Sequence, residues 1–294
     1  MLGLPMQKIR TLLGKPARTG PAARRPLPPY VRPAIRRGLV YFPDLNLVYV
    51  QNAKSGSSTL MKTLWIATDR KRGETTFAGS ARDSERSPGL SIKNGTLHTD
   101  TPEAILEAVH FTVVRHPLVR LVSGYIDKIR GRKLHTWDGF CHRYGVAEDA
   151  AVSFPDFLDL IAADDPQGVD KHFRAQTFNI ALGYVPYAHI GHLEDMAATG
   201  RFLEANGVAG IRSARPHATG AAERLQQYLG DPALLKKAID YLEADFKAFN
   251  YAPGLESTLP LAPIEPQRVD TGPLRAILIR DAGVRAPTQA ATGV

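Results

Sequence analysis

The sequence predicts an α/β fold, a single domain with a mostly parallel central sheet flanked by helices. Three observations carry this expectation. Twice, a short run of β-branched and aromatic residues passes through a polar turn into a helical pattern, first over 45–67 and again over 110–129. A further amphipathic pattern at 231–249 supplies a covering helix. The chain has 294 residues, 44% of them apolar, which is enough for one large core.

Each element follows from its residues. Residues 45–50 (LNLVYV) read as a strand, and the turn 51–56 (QNAKSG) leads to a helix at 57–67 (SSTLMKTLWIA). Residues 69–96 are charged and rich in Gly and Ser, with little periodicity, and read as a long loop. A short helix is expected at 102–108, capped by Asp100 or Thr101. The second strand is 110–114 (HFTVV), and Pro117 opens a helix with Leu118, Leu121, Val122, Tyr125 and Ile129 on one face. Residues 153–163 read as a helix and 184–190 as a strand. In the late helix Asp231 is the cap, Pro232 sits in the first turn, and Leu235, Ile239, Leu242 and Phe246 share a face. A short element is expected at 274–279.

The net charge of +8 would suggest a nucleic-acid binder if it were spread over the chain. Residues 1–43, however, hold nine Lys and Arg and no Asp or Glu, which leaves the remainder at −1. No nucleic-acid partner is therefore expected. The organisation reads as a basic, Pro-rich and disordered tail over 1–37, one domain over 38–255, and a Pro/Ala-rich extension over 256–294. No apolar run is long enough for a membrane span, so a soluble, cytoplasmic protein is expected, with the tail as a route to peripheral contact with anionic membranes. The single cysteine, Cys141, excludes an internal disulfide and a Cys-rich metal site.

Two motifs carry chemistry. Lys54, Ser55, Gly56, Ser57, Ser58 and Thr59 lie between a buried strand and a helix N-terminus. The first N–H groups of such a helix converge, its dipole favours an anion, glycine permits close approach, and hydroxyls add donors. Lys54 can neutralise charge on a leaving phosphate oxygen, which gives it a catalytic role. The Walker A pattern is absent, because the lysine precedes the glycine. In the second motif Arg115 ends a strand and Ser123 follows eight residues later, about 12 Å along a helix. Arginine's planar fork suits a terminal phosphomonoester.

Together these motifs resemble the sulfotransferases that use 3′-phosphoadenosine 5′-phosphosulfate (PAPS). VVRHPLVRLVSGYIDK (113–128) is similar to the carbohydrate sulfotransferase form of the second motif, with Arg120 in its usual place. DKHFRAQ (170–176) resembles the Asp-x-His-Trp-x-Pro-Gln segment of the chondroitin 4-O and HNK-1 type enzymes, although Phe173 and Ala175 stand where that pattern has Trp and Pro. YVPYAHIGHLEDM (184–196) and YLEADFKAFNY (241–251) continue the likeness, which spans 45–253. The resemblance implies a P-loop-like sulfotransferase fold and PAPS as co-substrate. It implies 5′-phosphosulfate binding at Lys54 to Thr59, 3′-phosphate binding at Arg115 and Ser123, and a carbohydrate or other hydroxyl as acceptor. The Golgi members of the family carry a membrane anchor that this sequence lacks, which points to a bacterial, soluble member.

Sulfuryl transfer is an in-line displacement, so a base should remove the acceptor proton, and histidine has a suitable pKa. His98 sits where many of these enzymes keep their catalytic histidine. His172 lies in the family-like segment, with Glu194 as a further alternative and His116 read as structural. No metal is expected, because PAPS already carries a good leaving group, and 192–195 (HLED) reads as a surface turn. Two rival readings stay open: a P-loop-like kinase or nucleotide hydrolase, and a non-catalytic protein that binds through its basic tail. The sequence leaves the oligomeric state open.

Overall fold

Four strands form one sheet in the order β1-β2-β3-β4: β1 Leu39–Phe42, β2 Leu47–Val50, β3 Val109–Val114 and β4 Tyr187–His192. The first pair is antiparallel and the other two are parallel, so the sheet is mostly parallel as expected. The structure is a computed structural model, and it describes residues 26–74, 89–97, 102–210, 220–255 and 261–282.

The strand expected from residue 45 starts at Leu47, because Pro43–Leu45 forms a 3-10 turn that closes on Asn46 in the left-handed region (φ 52°). That turn makes a hairpin with β1, a strand not expected from the sequence. The outer edge of β1 is partly covered: Tyr41 and Leu90 exchange backbone bonds of 2.8 and 2.7 Å.

The sheet separates two apolar clusters, as the side-chain alternation of its strands requires. On one face Val40, Phe42, Leu47, Tyr49, Phe111 and Val113 pack on α2 (Ser57–Arg72), together with Leu203 of α8 (Met196–Ala205). On the other face Leu39, Tyr41, Val48, Val50 and Val114 meet α1 (Val31–Gly38), α3 (Pro102–Glu107), α4 (Pro117–Gly124), α5 (Leu134–Tyr144) and α6 (Phe154–Ala162). Further round lie α7 (Gln176–Asn179), α9 (Leu225–Leu229), α10 (Pro232–Tyr241), α11 (Glu243–Ala248) and α12 (Gly272–Asp281).

Several boundaries differ from expectation for identifiable reasons. Helix α2 runs past residue 67 to Arg72 and stops at Gly73 (φ 70°). The helix after Pro117 is α-helical only to Gly124 and then widens into a π turn, Tyr125–Arg130. The late helix is two helices, because Leu242 leaves helical geometry (φ −107°, ψ 15°) between α10 and α11.

The segment read as a tail to residue 37 ends in α1, whose Val31, Ala34, Ile35 and Gly38 are buried at helical spacing. Beyond residue 256, α12 buries Leu274, Ile277 and Leu278. Arg32 of α1 donates to Asp281 of α12 at 2.8 Å, and Arg275 pairs with Glu103 of α3. Both flanking segments thus contribute a helix to the core. Among the described residues, no helix is long and apolar enough to cross a membrane. Residues 1–25, the expected caps Asp100 and Thr101, and 283–294 lie outside the described residues.

Candidate active site

The C-terminal ends of the three parallel strands β2, β3 and β4 meet, which is where open α/β sheets form their ligand crevices. After β2 the chain makes the turn 51–56. Lys54 (φ 66°) and Gly56 (φ 79°) both take left-handed backbone there, and a Cβ on Gly56 would lie 2.8 Å from Leu193 Cδ1. The left-handed backbone and this close approach both favour glycine at that position. Helix α2 then starts with no side-chain cap and no acidic residue in its first turn. Thr59 N and Leu60 N both donate to Gly56 O, at 3.0 and 3.1 Å, and the helix end, which favours an anion, carries no acidic side chain in its first turn.

The hydroxyls of this turn divide by role. Ser57 Oγ donates to Asn52 O at 2.6 Å and accepts from Tyr49 Oη at 3.1 Å. Ser55 is fully buried, and its Oγ donates to Gln176 Oε1 at 3.1 Å. These two brace the turn, while Ser58 is exposed and Thr59 stands beside it, half-buried.

The turn is held by residues that the sequence reading did not assign. Asn52 Nδ2 lies within bonding distance of Ser55 Oγ (3.1 Å), Val113 O (3.2 Å) and Gln176 Oε1 (2.9 Å). Gln176 also accepts from Arg115 N at 2.9 Å and donates to Arg115 O at 2.8 Å. Asp245 of α11 fixes Gln176 in turn, accepting from the N–H groups of Gln176 (2.8 Å) and Thr177 (3.0 Å) at the start of α7. Asp245 has no solvent exposure, and burial lifts its carboxyl above the ordinary range against the pull of Arg120 and these donors. The available signal was the spacing of segments 170–176 and 241–251, which contain Gln176 and Asp245.

Arg115 ends β3 half-buried, and its guanidinium donates to Lys54 O at 3.3 Å, so the two motifs meet. Burial lowers its pKa, countered by Glu194 and Tyr251. Ser123 lies in the last turn of α4 and is buried, 1% exposed. Arg120, fully buried, donates to Ala53 O (2.9 Å), Arg174 O (2.8 Å) and Lys171 O (2.6 Å). It therefore ties the turn 51–56 to segment 171–174, and burial draws its pKa down to about 10.

Residues 192–195, expected to be a surface turn, instead pack against the turn 51–56 through Leu193. His192 is buried, with Nε2 2.8 Å from Phe249 O, and Leu193 covers Gly56. Glu194 accepts from His116 N at 2.9 Å and from Tyr251 Oη at 2.7 Å, which makes it a brace beside Arg115. His116 packs edge-on against Phe246 and Tyr251, and burial pulls it down to about 4, in keeping with a structural role.

Of the two candidate bases, His98 lies outside the described residues. His172 is part-buried, and its Nδ1 lies 2.6 Å from Asp170 Oδ1, which also accepts the His172 backbone N–H at 2.9 Å. This carboxylate holds Nδ1 as the donor and leaves Nε2 as the proton acceptor. Burial lowers the His172 pKa more than Asp170 raises it. The backbone of His172 rests on α4, where a Cβ on Gly124 would come within 2.6 Å of His172 O. Phe173 and Ala175, which depart from the family-like pattern, are 1% and 5% exposed, and Phe173 packs on Phe157 with ring centres 4.9 Å apart. Both changes are therefore core substitutions.

No curated protein and no solved structure matches the chain. A family model described as Sulfotransferase family matches residues 37–252, from the end of α1 past the close of α11, and takes in every site element described above. With the turn 51–56, Arg115 and segment 170–176 all inside that match, the chain belongs to the Sulfotransferase family, whose members transfer sulfuryl groups.

Proposed function

We propose that this protein moves the sulfuryl group of PAPS to a hydroxyl of a carbohydrate, with His172 as the base. The observation that supports it most is the meeting of an uncapped helix N-terminus with two cations, where Arg115 Nη1 lies 3.3 Å from the carbonyl of Lys54. This arrangement supports a nucleotide bearing phosphates at both ends as the donor. The α2 turn and Lys54 receive the 5′-phosphosulfate, and Arg115 with Ser123 of α4 receives the 3′-phosphate.

PAPS supplies a sulfuryl group on a good leaving group. The acceptor oxygen forms its bond to sulfur as the bond from sulfur to the bridging phosphate oxygen breaks. Lys54 faces the charge left on that phosphate, and His172 Nε2 takes the acceptor proton while Asp170 holds the ring. Carbohydrate as the acceptor is supported by the likeness of segment 170–176, whose departures at Phe173 and Ala175 are buried.

Titration calorimetry with adenosine 3′,5′-bisphosphate tests the donor site. Binding by the wild type that is lost or weakened at least tenfold in Arg115→Ala is expected, at about 1.4 kcal/mol per factor of ten. Equal affinity in both would remove Arg115 from the site, and no binding by the wild type would remove the PAPS reading. Single-turnover transfer from PAPS in His172→Ala and His98→Ala, with bisphosphate affinity retained, identifies the base.

A further inference from the structure

Beyond α4 lies a cluster of charged side chains of which the proposed donor site described above uses only Lys54. The π turn Tyr125–Arg130 carries Asp127 and Lys128. Such a turn is wider than an α-helical one, and π segments recur at functional sites. Two ammonium groups converge there on one carboxylate oxygen: Lys54 Nζ lies 3.0 Å and Lys128 Nζ 3.1 Å from Asp127 Oδ2. The three side chains are only 12%, 20% and 25% exposed for Lys54, Lys128 and Asp127.

A carboxylate oxygen and a phosphate or sulfate oxygen are the same kind of acceptor for a charge-assisted bond. Two part-buried lysines sharing one such oxygen make a binding site for an anionic oxygen that the chain fills with its own carboxylate. One of these lysines is already the donor-site cation. Burial lifts the Asp127 carboxyl, but the bonds from Lys54 and Lys128 outweigh it and leave it below the ordinary range. Asp127 is thus held as an anion and is a poor proton acceptor, which suits charge placement rather than base catalysis. Lys128 also repels positive charge on both Lys54 and His172.

Resting on the PAPS reading above, we infer that Lys54 and Lys128 form a two-ammonium clamp for a non-bridging oxygen of the 5′-phosphosulfate, and that Asp127 Oδ2 holds the seat until the donor displaces it. Lys128 is then a donor-binding residue. Asp127 is a positioning residue that keeps both lysines aimed at one point and competes with the nucleotide for them. The competing interpretation is an ion triad that only fixes the π turn.

Calorimetry with adenosine 3′,5′-bisphosphate and steady-state transfer from PAPS separate the two in Asp127→Asn, Lys128→Gln and the double variant. With the competitor removed, Asp127→Asn should bind the bisphosphate about three- to tenfold more tightly while its kcat falls, a split that a structural triad does not produce. Lys128→Gln should raise the KM for PAPS about tenfold and weaken the bisphosphate, and the double variant should return towards wild-type affinity. Unchanged or weaker bisphosphate binding in Asp127→Asn overturns the clamp. If that variant does not fold, an unchanged KM in Lys128→Gln overturns it alone. Failure of the wild type to bind the bisphosphate overturns the PAPS reading and the clamp with it, whereas wild-type binding with indifferent variants overturns only the clamp.

Discussion

On the proposed donor side, Asn52, Ser55, Gln176 and Asp245 have no solvent exposure, and they come from three distant parts of the chain. On the proposed acceptor side, His172 depends on Asp170, two residues away, in a part-exposed turn. A site assembled from distant parts exists only when the fold is complete, so its geometry is as stable as the core. A site made by a local turn can lose its chemistry while the fold survives. Arg120 joins the two, since its guanidinium reaches the carbonyls of both Ala53 and Lys171.

The largest expected effect breaks the acceptor side alone. His172→Ala should lower kcat by about two to four powers of ten, while unfolding free energy moves by less than about 1 kcal/mol. Single-turnover rates and denaturant titration measure both. Undiminished transfer would show that the proton goes elsewhere, with His98 the next candidate.

Gln176→Ala should act the other way. It strips partners from Asn52, Ser55 and the Arg115 backbone, and unsatisfied buried groups cost about 1 to 3 kcal/mol each. A loss of about 3 to 5 kcal/mol in denaturant unfolding is expected, with bisphosphate binding lost alongside. Full stability with binding alone impaired would mean that the donor side is as local as the acceptor side.

Acid separates the two sides more gently. Burial holds His110 and His116 at about 4, whereas the unfolded chain titrates near 6.5. Between these values the unfolded state binds more protons. Stability is therefore whole above pH 6.5 and is lost as pH falls towards 4, by about 1.4 kcal/mol per pH unit for each histidine. Denaturant midpoints at pH 7 and pH 5 check this, and His116→Phe should flatten the slope. Because the His172 pKa is lowered, the acid limb of the turnover profile should lie below pH 6.5. The smallest effect is a control: Lys236→Ala removes an exposed pair with Asp240 and should change stability by less than about 0.5 kcal/mol, with transfer unaffected.

The parts of the molecule legible in the sequence are those fixed by local pattern. Strands β2 and β3 and the starts of α2 and α4 follow from apolar runs meeting Gly56 or Pro117, and the phosphate turn follows from the same signals. Strand β1 was not legible, because LVYF adjoins a basic, Pro-rich stretch and its partner is defined by a hairpin closed at Asn46. The break at Leu242 has no glycine or proline to mark it. The braces were hidden for a different reason. Asn52 and Gln176 lie 124 positions apart, and Lys54 and Asp127 lie 73 apart, so only the folded chain shows that they touch.

The amide of Gln176 both receives the Arg115 N–H and donates to the Arg115 carbonyl, the two-bond exchange that one strand residue makes with a hydrogen-bonded neighbour across an antiparallel ladder. One side chain thus adds a rung to the sheet just where its backbone would otherwise face the crevice. The Arg115 amide proton should accordingly exchange with deuterated solvent only when α7 lifts away, which makes a single backbone resonance a ligand-free gauge of whether the proposed donor site is assembled.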